Sequence, residues 1–200
     1  MTGKRGIPLP ATTLDPRTAL VLIDLQRGIV GAPTGPHAAA DVVSRGAELA
    51  RGFRKAGLPV ALVRVSFAPD GADAPPGRTD AATPTGPLPQ GWDQLVGELD
   101  VQPTDIVITK RHWGAFHGTE LDLRLRRRGV TGIVLGGIAT SIGVESTARA
   151  AHEHGYNITL ATDAMSDRDT DSHTHSLTKI FPRLGESATT QEILALLAEK

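Results

Sequence analysis

Five short apolar runs, each nearly continuous rather than alternating, recur along this chain: ALVLI (19–23), PVALVRV (59–65), DIVIT (105–109), TGIVLG (131–136) and ITLAT (158–162). Unbroken β-rich runs of this length suit strands covered on both faces. The stretches between them carry helical spacing: Ala38 to Ala56, Leu121 to Arg128, Val144 to His154 and Ser172 to Ile180, with Gln191 to Ala198 closing the chain. Glycines in AGLP (56–59), RRGV (127–130) and EHGY (153–156) stop three of these helices just before a strand. Strands alternating with helices predict an α/β fold with a parallel sheet and right-handed crossovers.

The exception is Ser66 to Gln102, where APDGADAPPGR and TPTGPLP are too rich in Pro and Gly for regular structure over most of the segment. A loop that long reads as a lid over a binding site or as a surface insertion, and it could equally form a subunit interface. Two hundred residues with 40% hydrophobic content suit a single domain, 1–200, with a sizeable core. A net charge of −1 gives no footprint for nucleic acid or an anionic membrane, so a small molecule is the expected partner. There is no apolar run near the roughly 20 residues of a membrane span, and the first residues lack the apolar core of a secretory signal, so a cytoplasmic location is expected. The chain has no cysteine, which excludes disulfides and any thiol chemistry.

In an open parallel sheet, ligands bind beyond the carboxyl ends of the strands. The first strand runs directly into Asp24, which is either a partly desolvated carboxylate or a cap or turn former. The third ends in Lys110, one of five lysines against sixteen arginines. Its compact ammonium could pair with a buried carboxylate, donate to a substrate oxygen, or be a surface cation. As a pair the two would oppose each other: the ammonium lowers the carboxyl pKa and desolvation raises it.

The fourth strand ends in Gly136 and Gly137, followed by IATSIG. Small residues there allow close approach to the backbone, and the amides could form an oxyanion hole at a helix start. The alternative is a plain connection capped by Thr140 or Ser141. Trp113 and Phe116 are possible pocket walls or core anchors. Ser141, Ser146 and Thr147 carry no nucleophile-elbow pattern, and packing or capping suits the last two better. His152, His154, His173 and His175 fall in i, i+2 pairs, poor for chelation, and read as mostly solvated. Dinucleotide, Walker A and zincin motifs are missing.

The segments LVLIDLQ (20–26), VITKRHWGAFHGTELDLRLRRRGV (107–130) and VLGGIATSIGVESTARAAHEHGY (134–156) together resemble the isochorismatase-like hydrolases, most closely the YecD-type branch. The resemblance spans nearly the whole chain. It implies a three-layer α/β/α sandwich with a mostly parallel sheet of about six strands, often assembled into homodimers or homotetramers. In the family's cysteine hydrolases an Asp, a Lys and a Cys form the catalytic set. Asp24 and Lys110 match the first two, while Gly143 stands at the Cys position.

The resemblance also implies a cis peptide between Ile138 and Ala139, with the amides of Ala139 and Gly143 facing the substrate. Ile138 and Thr140 then join Trp113 and Phe116 as pocket-lining residues. Nicotinamidases of the family have an Asp-x-His metal site after the second strand; here residues 64–69 read RVSFAP, so neither metal nor cofactor is expected. True isochorismatases also have Gly in place of Cys and cleave a vinyl ether with the Asp as general acid. They carry Ala-Gln-Pro and Tyr-Ala-His where this chain has SFAP (66–69) and IATS (138–141), so the substrate is left open. Amide or imide hydrolysis by Asp24-activated water and a catalytically silent binding protein are the alternatives.

Overall fold

The structure is a computed structural model and describes residues 11–75, 77–80 and 88–199. Six strands form one sheet: β1 (Thr18–Ile23), β2 (Val60–Val65), β3 (Ile106–Lys110), β4 (Gly132–Ile138), β5 (Asn157–Ser166) and β6 (Glu186–Ala188). Their spatial order is β3-β2-β1-β4-β5-β6, and every pairing is parallel. The sequence pattern did not mark β6, which has only three residues and gains its place by pairing with β5. β5 itself runs four residues beyond the apolar ITLAT stretch.

Helices cover both faces, completing the α/β/α sandwich. On one face α2 (Ala39–Lys55) and α6 (Thr190–Ala198) pack Val42, Ala50, Phe53 and Ile193 against Leu20, Leu22 and Leu62. On the other, α3 (Leu121–Arg126) and α4 (Glu145–Glu153) pack Leu125, Ala148 and Ala151 against Val21, Ile23, Val63 and Ile108. β1 thus sends alternate side chains into two apolar layers, and all six of its residues are buried. That two-sided burial is why the run lacks polar alternation. The helical turn α1 (Arg27–Val30) follows β1, and α5 (Thr170–His175) follows β5.

Within Ser66 to Gln102, positions 76 and 81–87 lie outside the described residues. The segment is anchored at its far end: Leu95 bridges to Gln26, the Gly28 amide donates to the Trp92 carbonyl at 2.9 Å, and a 3₁₀ turn occupies Gly97–Leu99. Among the described residues, no helix is long and apolar enough to cross a membrane.

The strand order reverses between β1 and β4, whose connections leave in opposite directions and open a crevice at their carboxyl ends. The two glycines of β4 shape this point. A side chain on Gly136 would meet the Ala164 carbonyl at 2.8 Å, and one on Gly137 (φ 127°) would meet the Ile23 carbonyl at 2.1 Å. Neighbouring backbones fill that space, so only glycine fits.

Candidate active site at the strand reversal

Asp24 leaves β1 in the left-handed conformation, φ 53°, with its amide bonded to the Val63 carbonyl and its carbonyl to the Gln26 amide, each at 2.8 Å. These bonds turn the carboxyl into the crevice, where the residue is 6% exposed. Lys110, closing β3 two strands away, reaches across the end of β2 to place Nζ 2.8 Å from Asp24 Oδ2 and donates to the His112 carbonyl at 3.1 Å. Asp24 Oδ1 is buried with no hydrogen-bond partner, the one such side-chain atom among the described residues. Burial pushes the Asp24 pKa up to about 6 even though the Lys110 ammonium pulls it down. Burial of the ionised carboxylate is the larger effect, exceeding the pull of Lys110 and of the Val65 backbone, and it favours the neutral acid.

A cavity of about 350 Å³ opens over this pair. Ile138, Ala139, Ile142 and Gly143 form one wall, Lys110 to Trp113 a second, and Val65 at the end of β2 with Phe67 and Pro75 of the long segment a third; Ile29 and Arg168 complete the rim. Six of the residues expected at the site therefore meet here: Asp24, Lys110, Trp113, Ile138, Ala139 and Gly143. The Ile138–Ala139 peptide is cis. Trp113 is 68% exposed, a rim residue rather than a buried wall.

Two expected pocket residues lie elsewhere. Phe116 is buried in the core layer, its ring 5.7 Å from that of Tyr156, because the chain turns inward after Gly114 to cover α3 and α4. Thr140 is fully buried beneath the turn, with Oγ1 2.8 Å from His173 Nδ1. The same contact corrects the reading of His173 as solvated: it is 3% exposed, and burial lowers its pKa. His152, His154 and His175 are exposed.

At Gly143, an added Cβ would stand 2.8 Å from Ile23 Cγ2 and 3.2 Å from Asp24 Oδ2. The turn is thus pressed onto the end of β1, with the Ile23 methyl occupying the room a side chain needs. Its carbonyl is fixed by Thr147 Oγ1 at 2.6 Å, and the same hydroxyl accepts from the Ala115 amide at 3.0 Å. Thr147 therefore packs the turn against the Trp113 wall.

Three contributors escaped the sequence pattern. Gln26, fully buried, accepts from the Val65 amide at 2.8 Å and donates to the Val65 carbonyl at 3.0 Å, pairing with β2 as a strand would. Arg168 donates to the carbonyls of Ile29 at 2.9 Å and Pro33 at 3.3 Å and forms no ion pair among the described residues. Asp167, beside it, accepts from the Ser141 amide at 2.6 Å. An acidic residue just after a strand was the available signal for Asp167, but the strand reads as ending at Thr162.

A larger cavity, about 530 Å³, opens near the amino ends of β4 and β5. Its carboxylates are engaged: Asp15 with Thr131 and Asn157, Glu186 with Thr12. Among the described residues no group of three or more His, Asp or Glu could hold a metal ion.

Residues 18–192 match the isochorismatase domain. The chain belongs to the isochorismatase family of hydrolases. It is 49% identical to the isochorismatase family protein YecD of Escherichia coli O157:H7 over 180 residues, covering 90% of this chain and 96% of that one. A solved isochorismatase family protein from Burkholderia thailandensis superposes with a TM-score of 0.89 at 51% identity, covering 96% of this chain and 100% of the other. The ureidoacrylate amidohydrolase RutB of Methylobacterium radiotolerans is 36% identical over 186 residues, covering 78% of this chain and 72% of RutB.

Proposed function

We propose that the protein hydrolyses a small anionic molecule without a covalent enzyme intermediate, with Asp24 as the proton-transfer group. The observation that carries this reading is the divided carboxyl of Asp24, a residue that lines the cavity: Oδ2 is held by Lys110 and Oδ1 is buried and unpartnered. A carboxyl with its pKa near 6 exchanges protons readily at neutral pH, and general acid–base catalysis contributes about 10²–10⁴-fold in rate. With Lys110 paired to Asp24 and Arg111 to Asp73, Arg168 is the lining cation that forms no ion pair among the described residues, which suits a substrate carboxylate. Ile29, Phe67, Ile138 and Ile142 suit an apolar body.

For a vinyl ether, the Asp24 carboxylic acid delivers its proton to the terminal methylene carbon, leaving an oxocarbenium ion. Water adds to the cationic carbon, the resulting hemiketal releases the alcohol and a ketone, and the water proton returns to Asp24. The turn from Ala139 to Gly143 binds substrate oxygen. A second reading, amide hydrolysis by water that Asp24 deprotonates, is favoured by the similarity to RutB.

Turnover of vinyl-ether carboxylates in D₂O, followed by proton NMR, tests the assignment. The acid mechanism places one solvent deuteron on the new methyl group, whereas amide hydrolysis places none on carbon. Cavity binding without product from vinyl ethers, amides or imides would sink the hydrolase reading.

A further inference from the structure

The turn that lines the pocket is held from behind by residues the catalytic reading does not use. From Asp167 to Ser176, the chain after β5 makes two polar contacts with it and a third with the helix that follows it. Asp167, 3% exposed, accepts from the Ser141 amide at 2.6 Å through Oδ2, while its Oδ1 accepts from the Arg168 amide at 2.7 Å. His173 Nδ1 meets Thr140 Oγ1 at 2.8 Å, both side chains buried. Ser176 donates to Glu145 Oε2 at 2.7 Å, at the first residue of α4.

These contacts fall on a backbone that needs them. Thr140–Val144 is a π-helical turn, and the Ile142 and Val144 amides both go to the Ala139 carbonyl at 3.2 Å. Two donors on one acceptor at that length form a weak closure, and π turns rarely stand on their own hydrogen bonds. The Ser141 amide instead finds the Asp167 carboxylate, a charge-assisted bond. Asp167 is fixed in turn, since its amide and carbonyl pair with those of Gly35 at 3.0 and 2.8 Å.

We propose that Asp167, Thr140 and His173 are positioning residues: a buried buttress that fixes the Ala139–Gly143 turn against the cavity. None of the three lines the cavity, so each acts through the turn. The proposal rests on the reading that this turn faces substrate.

Amide hydrogen exchange on the full chain tests it, comparing wild type with Thr140→Val, Asp167→Ala and Thr140→Ser. The first two are expected to raise exchange in residues 139–144 by roughly tenfold, the scale of one lost hydrogen bond, while β1 stays within about twofold. Thr140→Ser, which keeps the hydroxyl, restores wild-type exchange. On any substrate the wild type turns over, Thr140→Val lowers kcat with KM little changed, and Thr140→Ser recovers it. Unchanged exchange in the turn, or an equal rise in β1, would overturn the buttress. Asp24→Asn separates the two ideas, since loss of turnover with wild-type exchange in the turn concerns Asp24 alone.

Discussion

Lys110 engages one oxygen of Asp24 and leaves the other bare: Nζ lies 2.8 Å from Oδ2, while Oδ1 is buried without a partner. The folded state binds a proton at Asp24 more tightly than the unfolded chain, whose carboxyl has its ordinary pKa of 3.8. Protonated Asp24 therefore favours folding below pH 3.8, and that contribution is lost as pH rises through about 6. Asp24→Asn lacks this titration. The stability of wild type relative to Asp24→Asn should fall by about 2 kcal/mol between pH 4 and pH 7, at roughly 1.4 kcal/mol per pKa unit. Urea unfolding of both proteins at several pH values measures it; a constant difference would contradict the raised pKa.

Under the proposed mechanism the same group sets the pH dependence of catalysis. If Asp24 acts as an acid, kcat/KM falls as pH rises through about 6; if it acts as a base, kcat/KM falls as pH drops through the same value. Asp24→Asn should reduce turnover at least ~100-fold under either mechanism.

Gly143→Ala should destabilise the protein by about 1–3 kcal/mol, the usual result of overpacking, because its Cβ would meet Ile23 Cγ2 at 2.8 Å. In Ile23→Ala, where that methyl is gone, the same change should be far milder. A double-mutant cycle by urea unfolding reads the coupling, and strict additivity would show that the contact is relaxed elsewhere.

Arg168→Gln removes a guanidinium from the cavity rim. Losing a hydrogen bond to a charged group costs about 1.5–3 kcal/mol, so a carboxylate ligand should bind roughly 10–100-fold more weakly. Calorimetric titration of wild type and variant with one such ligand and its neutral amide isolates the charge. The amide should show little change.

Gln26→Ala strips both backbone groups of Val65 of a buried partner. At about 1–3 kcal/mol for each unsatisfied group, it should be among the more damaging single changes near the site. Thermal unfolding, with exchange of the Val65 amide, checks both the size and the place of the loss.

How far the sequence was legible follows from distance along the chain. Asp24 and Lys110 each end an apolar run, so strand position alone marked them, and the parallel fold supplies the contact between them. The end of β5 was hidden because Thr162 and Asp163 interrupt the apolar run. Asp163 is satisfied at the surface of the sheet by the Thr190 amide and by Arg45, so the strand continues past it to Ser166. With that end misplaced, Asp167 and Arg168 could not be seen as strand-end residues. His173 reads as solvated because its side-chain hydrogen bond goes to Thr140, thirty-three residues away. Gln26 poses the same difficulty in reverse: next to a helical turn it looks polar and exposed, and only the neighbouring edge of β2 explains its burial.

The closeness of Gly143 to Ile23 also bears on how such proteins diverge. A single codon change to cysteine would place a thiol-bearing carbon against a buried methyl, and trimming Ile23 first would leave a void beside the proton-transfer group. Adding a thiol at this position therefore also requires Ile23 or the turn to move, so the lack of a nucleophile here is tied to the packing at the end of β1.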